Sequence, residues 1–112
     1  MPSASFISQW SFDVTDYGHW KTQLADVVSV LQSTAGFESL MLLHSPDEPQ
    51  RYQVHCSWVD VGSYRRGVSS TQAKLVIWPF LTTMIDAPSS FETLLLATPA
   101  ESVTFDTSVE SP

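Results

Sequence analysis

The sequence predicts an α+β fold of the ferredoxin-like kind, with a four-stranded antiparallel sheet that carries its helices on one face. Two observations lead to this prediction. Short segments rich in apolar, aromatic and β-branched residues recur at strand length. Between them, apolar residues recur at the three- and four-residue spacings of amphipathic helices, which makes the order βαββαβ. The 112 residues suffice for one domain with its own core.

The first strand and the first helix follow one another between residues 6 and 36. Residues 6–12 are short and mostly apolar, which is typical of a strand. Alternation places Ser8 with the large aromatic residues on one face and Gln9 on the other. The helix is predicted from an apolar stripe, which consists of Tyr17, Trp20, Leu24, Val27, Val28 and Leu31. Gly36 lies just beyond its last turn, where glycine commonly ends a helix.

Residues 37–44 and 51–58 are predicted to form an antiparallel hairpin around the turn 45–50. One face of the second of these strands carries Tyr52, Val54, Cys56 and Trp58. The opposite face carries Arg51, Gln53, His55 and Ser57, and we place Ile7, Leu40 and Leu42 beside them. Because this mixed face is too apolar to stay exposed, we expect it to pack against a second copy of the chain.

The segment after Trp58 predicts two helical pieces and a last strand. Asp60 or Ser63 can cap the first piece, and Gly67 and the Ser69–Ser70 pair are expected to break it. The second piece covers about residues 71–84, with Pro79 disturbing its middle, and the last strand covers residues 91–97. We therefore expect one domain over residues 1–97 and a C-terminal tail over residues 98–112, loose or laid against the surface.

Composition excludes several classes of function. The net charge is −7, from 12 acidic and 5 basic residues, so the chain lacks the basic surface that nucleic acid or an anionic membrane requires. No apolar run reaches the ~20 residues of a membrane helix. The single cysteine, Cys56, cannot form an intramolecular disulfide, and residues 1–6 do not resemble a signal peptide. These features predict a cytoplasmic protein.

Three segments carry a resemblance to a known family: 35–39 (AGFES), 47–49 (DEP) and 52–64 (YQVHCSWVDVGSY). They resemble the antibiotic biosynthesis monooxygenase family, over roughly residues 6–97. The resemblance implies a dimeric α/β barrel, in which two sheets face each other and each subunit holds a pocket between its sheet and helices. It also implies a cofactor-independent monooxygenase that oxidises a phenolic, quinol or polycyclic aromatic substrate with O₂.

The resemblance assigns three candidate catalytic residues. Trp58 matches a pocket tryptophan that can stack on an aromatic substrate, or else it is a core aromatic. Tyr64, six residues later, matches a phenol that can exchange a proton with the substrate, or else it packs on the core. Gln9 matches a position where relatives often carry Asn, although an ordinary strand residue is the alternative. The expected apolar walls of the substrate pocket are Leu24, Val28, Val54, Leu75 and Phe80.

Departures from the family pattern keep other functions open. Val54 stands where some polyketide oxygenases place Asn, and no histidine follows His55, so haem degradation is not expected. The three scattered histidines predict no metal site, and a chain with four glycines and no phosphate loop predicts no nucleotide cofactor. The alternatives are a non-catalytic small-molecule-binding or stress-related dimer of the same fold, and a polyketide cyclase or isomerase.

Overall fold

The computed structural model describes residues 4–107, and its helices and strands follow the predicted order as far as β4. The elements along the chain are β1 (Phe6–Asp13), α1 (Tyr17–Gln32), β2 (Phe37–His44), β3 (Arg51–Trp58), α2 (Val61–Ser69), α3 (Thr71–Leu81), β4 (Ser90–Glu92), β5 (Leu95–Ala97) and β6 (Ser102–Thr104). No helix within residues 4–107 is long and apolar enough to cross a membrane.

The strands β1 to β4 make one antiparallel sheet in the order β2-β3-β1-β4. The three helices cover one face of this sheet, which confirms the predicted ferredoxin-like arrangement. The helix-facing sheet residues and the helical stripes form one core of buried apolar side chains: Trp10, Phe12, Val14, Trp20, Leu24, Val27, Leu31, Val54, Cys56, Trp58, Ala73, Ile77 and Phe80.

Side-chain caps explain where the helices begin. Asp16 caps α1 by accepting a hydrogen bond from the His19 N–H at 3.1 Å, and Asp60 caps α2 by accepting one from the Ser63 N–H at 2.7 Å. The second bond lowers the pKa of the Asp60 carboxyl, because it stabilises the charged form. Ser70 ends α2 and caps α3 through the Ala73 N–H. The two helical pieces therefore meet at Ser70 as separate helices.

The face assignment of β2 was wrong for Leu40 and Leu42. They pair with Cys56 and Val54, so they lie on the helix-facing side and pack against the core. The segment FESLMLLH has apolar residues at consecutive positions, so alternation alone could not fix its parity. The sheet face opposite the helices, hereafter the open face, instead carries Ile7, Gln9, Ser11, Met41, Leu43, Gln53, His55, Ser57 and Phe91.

The last strand is shorter than predicted. Only Ser90–Glu92 pairs with β1, whereas Leu95–Ala97 pairs with Ser102–Thr104 in a separate two-stranded hairpin. Its turn is held by Thr98, whose side-chain oxygen accepts hydrogen bonds from the backbone N–H groups of Ala100 and Glu101. The hairpin of β5 and β6 therefore forms in place of a longer edge strand beside β1. Part of the expected tail thus belongs to a strand, and residues 108–112 lie outside the described residues.

Candidate functional site

Trp58 ends β3 and points into the layer between sheet and helices. Its side chain is fully buried, at 0% exposure. Phe37 and Tyr64 meet its ring in edge-to-face geometry, with ring centroids 5.6 Å and 5.7 Å away. Such pairs are favourable because the positive edge of one ring meets the negative face of the other. Trp58 is therefore the centre of an aromatic group under α2.

Tyr64 lies on α2 and joins this aromatic group from the helix side. It is half-buried, and its ring also contacts Phe6, with centroids 5.2 Å apart. Within residues 4–107 its hydroxyl has no hydrogen-bond partner in the protein. The structure therefore brings Trp58 and Tyr64 together and leaves the phenol group without a protein partner within the described residues.

Ser8 is a residue of this site that the sequence reasoning did not select. It lies on β1 opposite Cys56, is completely buried, and accepts a hydrogen bond from the Trp58 indole N–H at 3.2 Å. The signal for it was present, because alternation placed Ser8 on the face of Trp10 and Phe12. A polar residue in an otherwise apolar stripe marks a position where a hydroxyl has a partner.

Gly67 of α2 allows Trp58 to approach the helix backbone closely. A Cβ atom at this position would lie 2.8 Å from both Cη2 and Cζ3 of the Trp58 ring. Because such a distance is shorter than a van der Waals contact, any larger residue would displace the ring. A break was expected at Gly67 and at the Ser69–Ser70 pair. The helix does end at Ser69, whereas Gly67 lies inside α2 and is buried.

Gln9 lies on the open face, so the sheet separates it from Trp58. It pairs with His55 across β1 and β3, and its side-chain amide donates to Gln53 Oε1 at 3.3 Å. Gln53 in turn donates to Ser11 Oγ at 3.0 Å, and a ring nitrogen of His55 lies 2.9 Å from Gln53 Oε1. Gln9 therefore belongs to a polar network that does not reach the Trp58–Tyr64 group.

The predicted pocket walls divide into three groups. Leu24, Val54 and Phe80 are buried in the core, and Val28 is half-buried against it. Leu75 is 67% exposed and points away from this layer. Leu75 was expected in the wall of the substrate pocket, but α3 presents Ala73, Ile77 and Phe80 to the core instead.

Burial raises the pKa of the Cys56 thiol to about 11, and a hydrogen bond with Ser8 opposes this effect only in part. The group is therefore a neutral thiol at pH 7, and the site holds no thiolate nucleophile at Cys56. Among residues 4–107, no three His, Cys, Asp or Glu side chains converge as a metal site.

Two surface clefts border the aromatic group. The larger has a volume of about 460 Å³ and lies between the end of α1 and the α2–α3 junction, with Gly67 and Arg66 in its wall. The smaller, of about 180 Å³, is lined by residues that include Phe6, Val61, Asp60, Glu92 and Asp106. Gly67 separates the larger cleft from Trp58, and Phe6 separates the smaller cleft from Tyr64.

No family model and no curated protein matches the sequence. Solved structures do match the fold. SnoaB, a cofactor-independent oxygenase from Streptomyces nogalater, is 16% identical over 97% of this chain and 96% of its own, with a TM-score of 0.59. A protein assigned to antibiotic biosynthesis monooxygenases from Chloroflexus aurantiacus is 16% identical over 84% and 95%, with a TM-score of 0.60.

A conserved protein from Methanosarcina mazei shares the fold as well, at 13% identity over 80% of this chain and 89% of its own, with a TM-score of 0.64. At these identities the similarity concerns the fold and leaves the reaction open. The chain therefore has the fold of the antibiotic biosynthesis monooxygenases, and it shares its fold with SnoaB as well.

Proposed function

We propose that the protein is a cofactor-independent monooxygenase that oxidises a phenolic, quinol or polycyclic aromatic substrate with O₂. The observation that carries this proposal is the Trp58–Tyr64 pair, with a stacking surface and an available phenol 5.7 Å apart between their ring centroids. The pair lies between the sheet and α2 in a fold shared with a cofactor-independent oxygenase.

An anthrone illustrates the chemistry that this proposal requires. Its ring methylene, once deprotonated, supplies electrons to O₂, so the substrate itself is the reductant. One oxygen atom replaces the two methylene hydrogens as a carbonyl, and the other oxygen atom leaves as water with those two hydrogens. The protein needs to hold the planar substrate away from water and to assist one proton transfer.

Trp58 would stack on the substrate, and Tyr64 would hydrogen-bond to its oxygen or exchange the proton. The apolar surface around them would come from Leu24, Val28, Val54 and Phe80. Access would require Tyr64 and α2 to move, since Trp58 is fully buried. We give Gln9 no direct contact with the substrate, because it lies across the sheet.

Oxygen uptake by the pure protein with dithranol tests the proposal. We expect uptake well above buffer, reduced at least tenfold by Trp58→Phe and by Tyr64→Phe, which is the range for loss of one proton-transfer or orienting group. Trp78→Phe and Tyr17→Phe are matched controls on exposed positions and should retain activity. Uptake equal to buffer for the parent protein would exclude the proposal, and unchanged uptake by Trp58→Phe would exclude the role of Trp58.

A specific observation favours a second candidate, a small-molecule-binding protein without catalysis. Val54 supplies no hydrogen bond to a substrate, and Gln9 lies across the sheet from Trp58. Calorimetry with planar phenols discriminates the two functions. Saturable binding without oxygen uptake or product would support a binding protein, and product of unchanged mass would indicate a cyclase or isomerase.

We also propose that two copies associate through their open faces. Met41 and Phe91 on this face are 57% and 43% exposed, beside the polar network of Gln53 and His55. A sheet face of this mixed character is typically covered in a two-fold assembly. The small aromatic substrate and this second copy are the two partners that we propose.

A further inference from the structure

We propose that Ser8 is a positioning residue for Trp58, whose hydroxyl holds the indole N–H so that a substrate meets only the aromatic ring of Trp58 and finds its hydrogen-bonding group in Tyr64. The consequence for turnover rests on the proposed function. The contact between Ser8 and Trp58 can be tested without any substrate.

Ser8 occupies a position where the fold alone would favour an apolar side chain. It is fully buried on β1, and its neighbours in the sheet are Cys56 on β3 and Ser90 on β4. Strands on both sides therefore fix its backbone. Because a buried hydroxyl is unfavourable without hydrogen bonds, its partners explain its presence. Its oxygen accepts from the Trp58 N–H at 3.2 Å, and Ser8 also forms a hydrogen bond with the Cys56 thiol.

The Trp58 ring is held at both ends. Ser8 binds the five-membered ring through Nε1, and Gly67 lies against the far edge of the six-membered ring, at Cη2 and Cζ3. Phe37 and Tyr64 pack edge-to-face at its sides. While α2 is in place, these contacts leave the indole one orientation. When Tyr64 and α2 move to admit a substrate, the contacts with Ser8 and Phe37 remain, because both residues belong to the sheet.

This orientation determines which polar groups of the site can form hydrogen bonds with a substrate. An indole has one N–H and no acceptor, so the bond to Ser8 uses its whole hydrogen-bonding capacity. The Tyr64 hydroxyl has no protein partner within residues 4–107. The site therefore favours planar aromatics that carry one hydroxyl or carbonyl positioned for Tyr64, with the rest of the substrate apolar.

Nitrogen-15 labelling of the four tryptophans tests the contact, with the Trp58 indole signal assigned by its loss in Trp58→Phe. In Ser8→Ala we expect this signal to shift and its N–H to exchange faster with solvent, while Ser8→Thr, which keeps the hydroxyl, restores it. Ser11→Ala is the matched control, because it removes a hydroxyl from the same strand on the open face. An unchanged Trp58 signal in Ser8→Ala would overturn the inference.

Oxygen uptake with dithranol tests the consequence for turnover. We expect Ser8→Ala to lower kcat about three- to tenfold with a smaller change in KM, because the ring still binds but is less well oriented. Full activity of Ser8→Ala would overturn the positioning role. Absence of uptake by the parent protein would refute the proposed function, whereas the indole signals would still decide the role of Ser8.

Discussion

Cys56 shows how the interior of the sheet changes the chemistry of one side chain. Burial raises the pKa of its thiol from 9.0 to about 11. Between these two pH values the thiol therefore stays protonated in the folded state, whereas the same thiol is ionised in the unfolded chain. Since only the unfolded state gains from losing the proton, stability declines as the pH rises from about 9 to 11.

We therefore expect urea unfolding to show a loss of about 1 kcal/mol between pH 8 and pH 10 that is attributable to Cys56. The measurement compares the parent protein with Cys56→Val, which removes the ionisable group and keeps the volume similar. Other groups titrate equally in both proteins, so the difference isolates the thiol. Identical pH profiles of the two proteins would contradict the expected contribution.

The residues of the site differ in how far the sequence could predict them. The pairing of Trp58 with Tyr64 follows from a strand end, a short link and the first turns of a helix, which are local relations. The link between Ser8 and Trp58 spans 50 positions and depends on the register of β1 against β3. Resemblance placed Gln9 in the site, although strand alternation alone places it on the opposite face of the sheet from Trp58.

Among the elements, the turn from α1 into β2 depends on one glycine. Gly36 has a φ of +83°, a left-handed conformation that other residues adopt only with strain, and a Cβ there would collide with the Ser63 side chain. The Gly36 carbonyl also accepts a hydrogen bond from the Val59 N–H at 2.8 Å. This position therefore joins α1, β2, β3 and α2.

We expect Gly36→Ala to lower the free energy of unfolding by about 2–4 kcal/mol, from backbone strain and overpacking together. Gly18→Ala is the matched control inside α1, where the nearest atom to an added Cβ is Asp16 Oδ1 at 3.8 Å. It should raise stability by roughly 0.5–1 kcal/mol, because alanine favours helix. Chemical denaturation measures both, and equal stability of the two variants would refute the argument.

The elements also show which buried faces and strand lengths the sequence pattern could predict and which it could not. The stripe of α1 and the clean alternation of β3 specified their buried faces correctly, because polar residues mark the opposite sides. In β2, consecutive apolar residues and the irregular register between Phe37 and Ser39 removed that information. The last predicted strand is split, because its first residues pair with β1 and its last residues pair with β6. The choice between these two partners depends on the context of the whole sheet and cannot be predicted from a local sequence pattern.

For the molecule as a whole, His55 makes the open face sensitive to pH. Burial lowers the pKa of this imidazole, which lies among Gln9, Gln53 and Met41. The folded state resists protonation of this imidazole. The contribution of His55 to stability is therefore fully present above its unfolded pKa of about 6.5, and it is lost as the pH falls through the lower pKa of the folded state. We expect the thermal unfolding temperature of the parent protein to fall below pH 6.5 more steeply than that of His55→Gln, and parallel curves would contradict this.

The open face also predicts how the whole molecule assembles. A charge introduced at Met41, which is 57% exposed on this face, would be buried without a partner when two such faces meet. We expect the parent protein to run as a dimer in light scattering after size exclusion, and Met41→Glu to run as a folded monomer. Leu75→Glu places the same charge on α3, where the side chain is 67% exposed, and should leave the dimer intact. If both variants stay dimeric, association uses another surface, and if the parent is monomeric, the open face has no second copy as its partner.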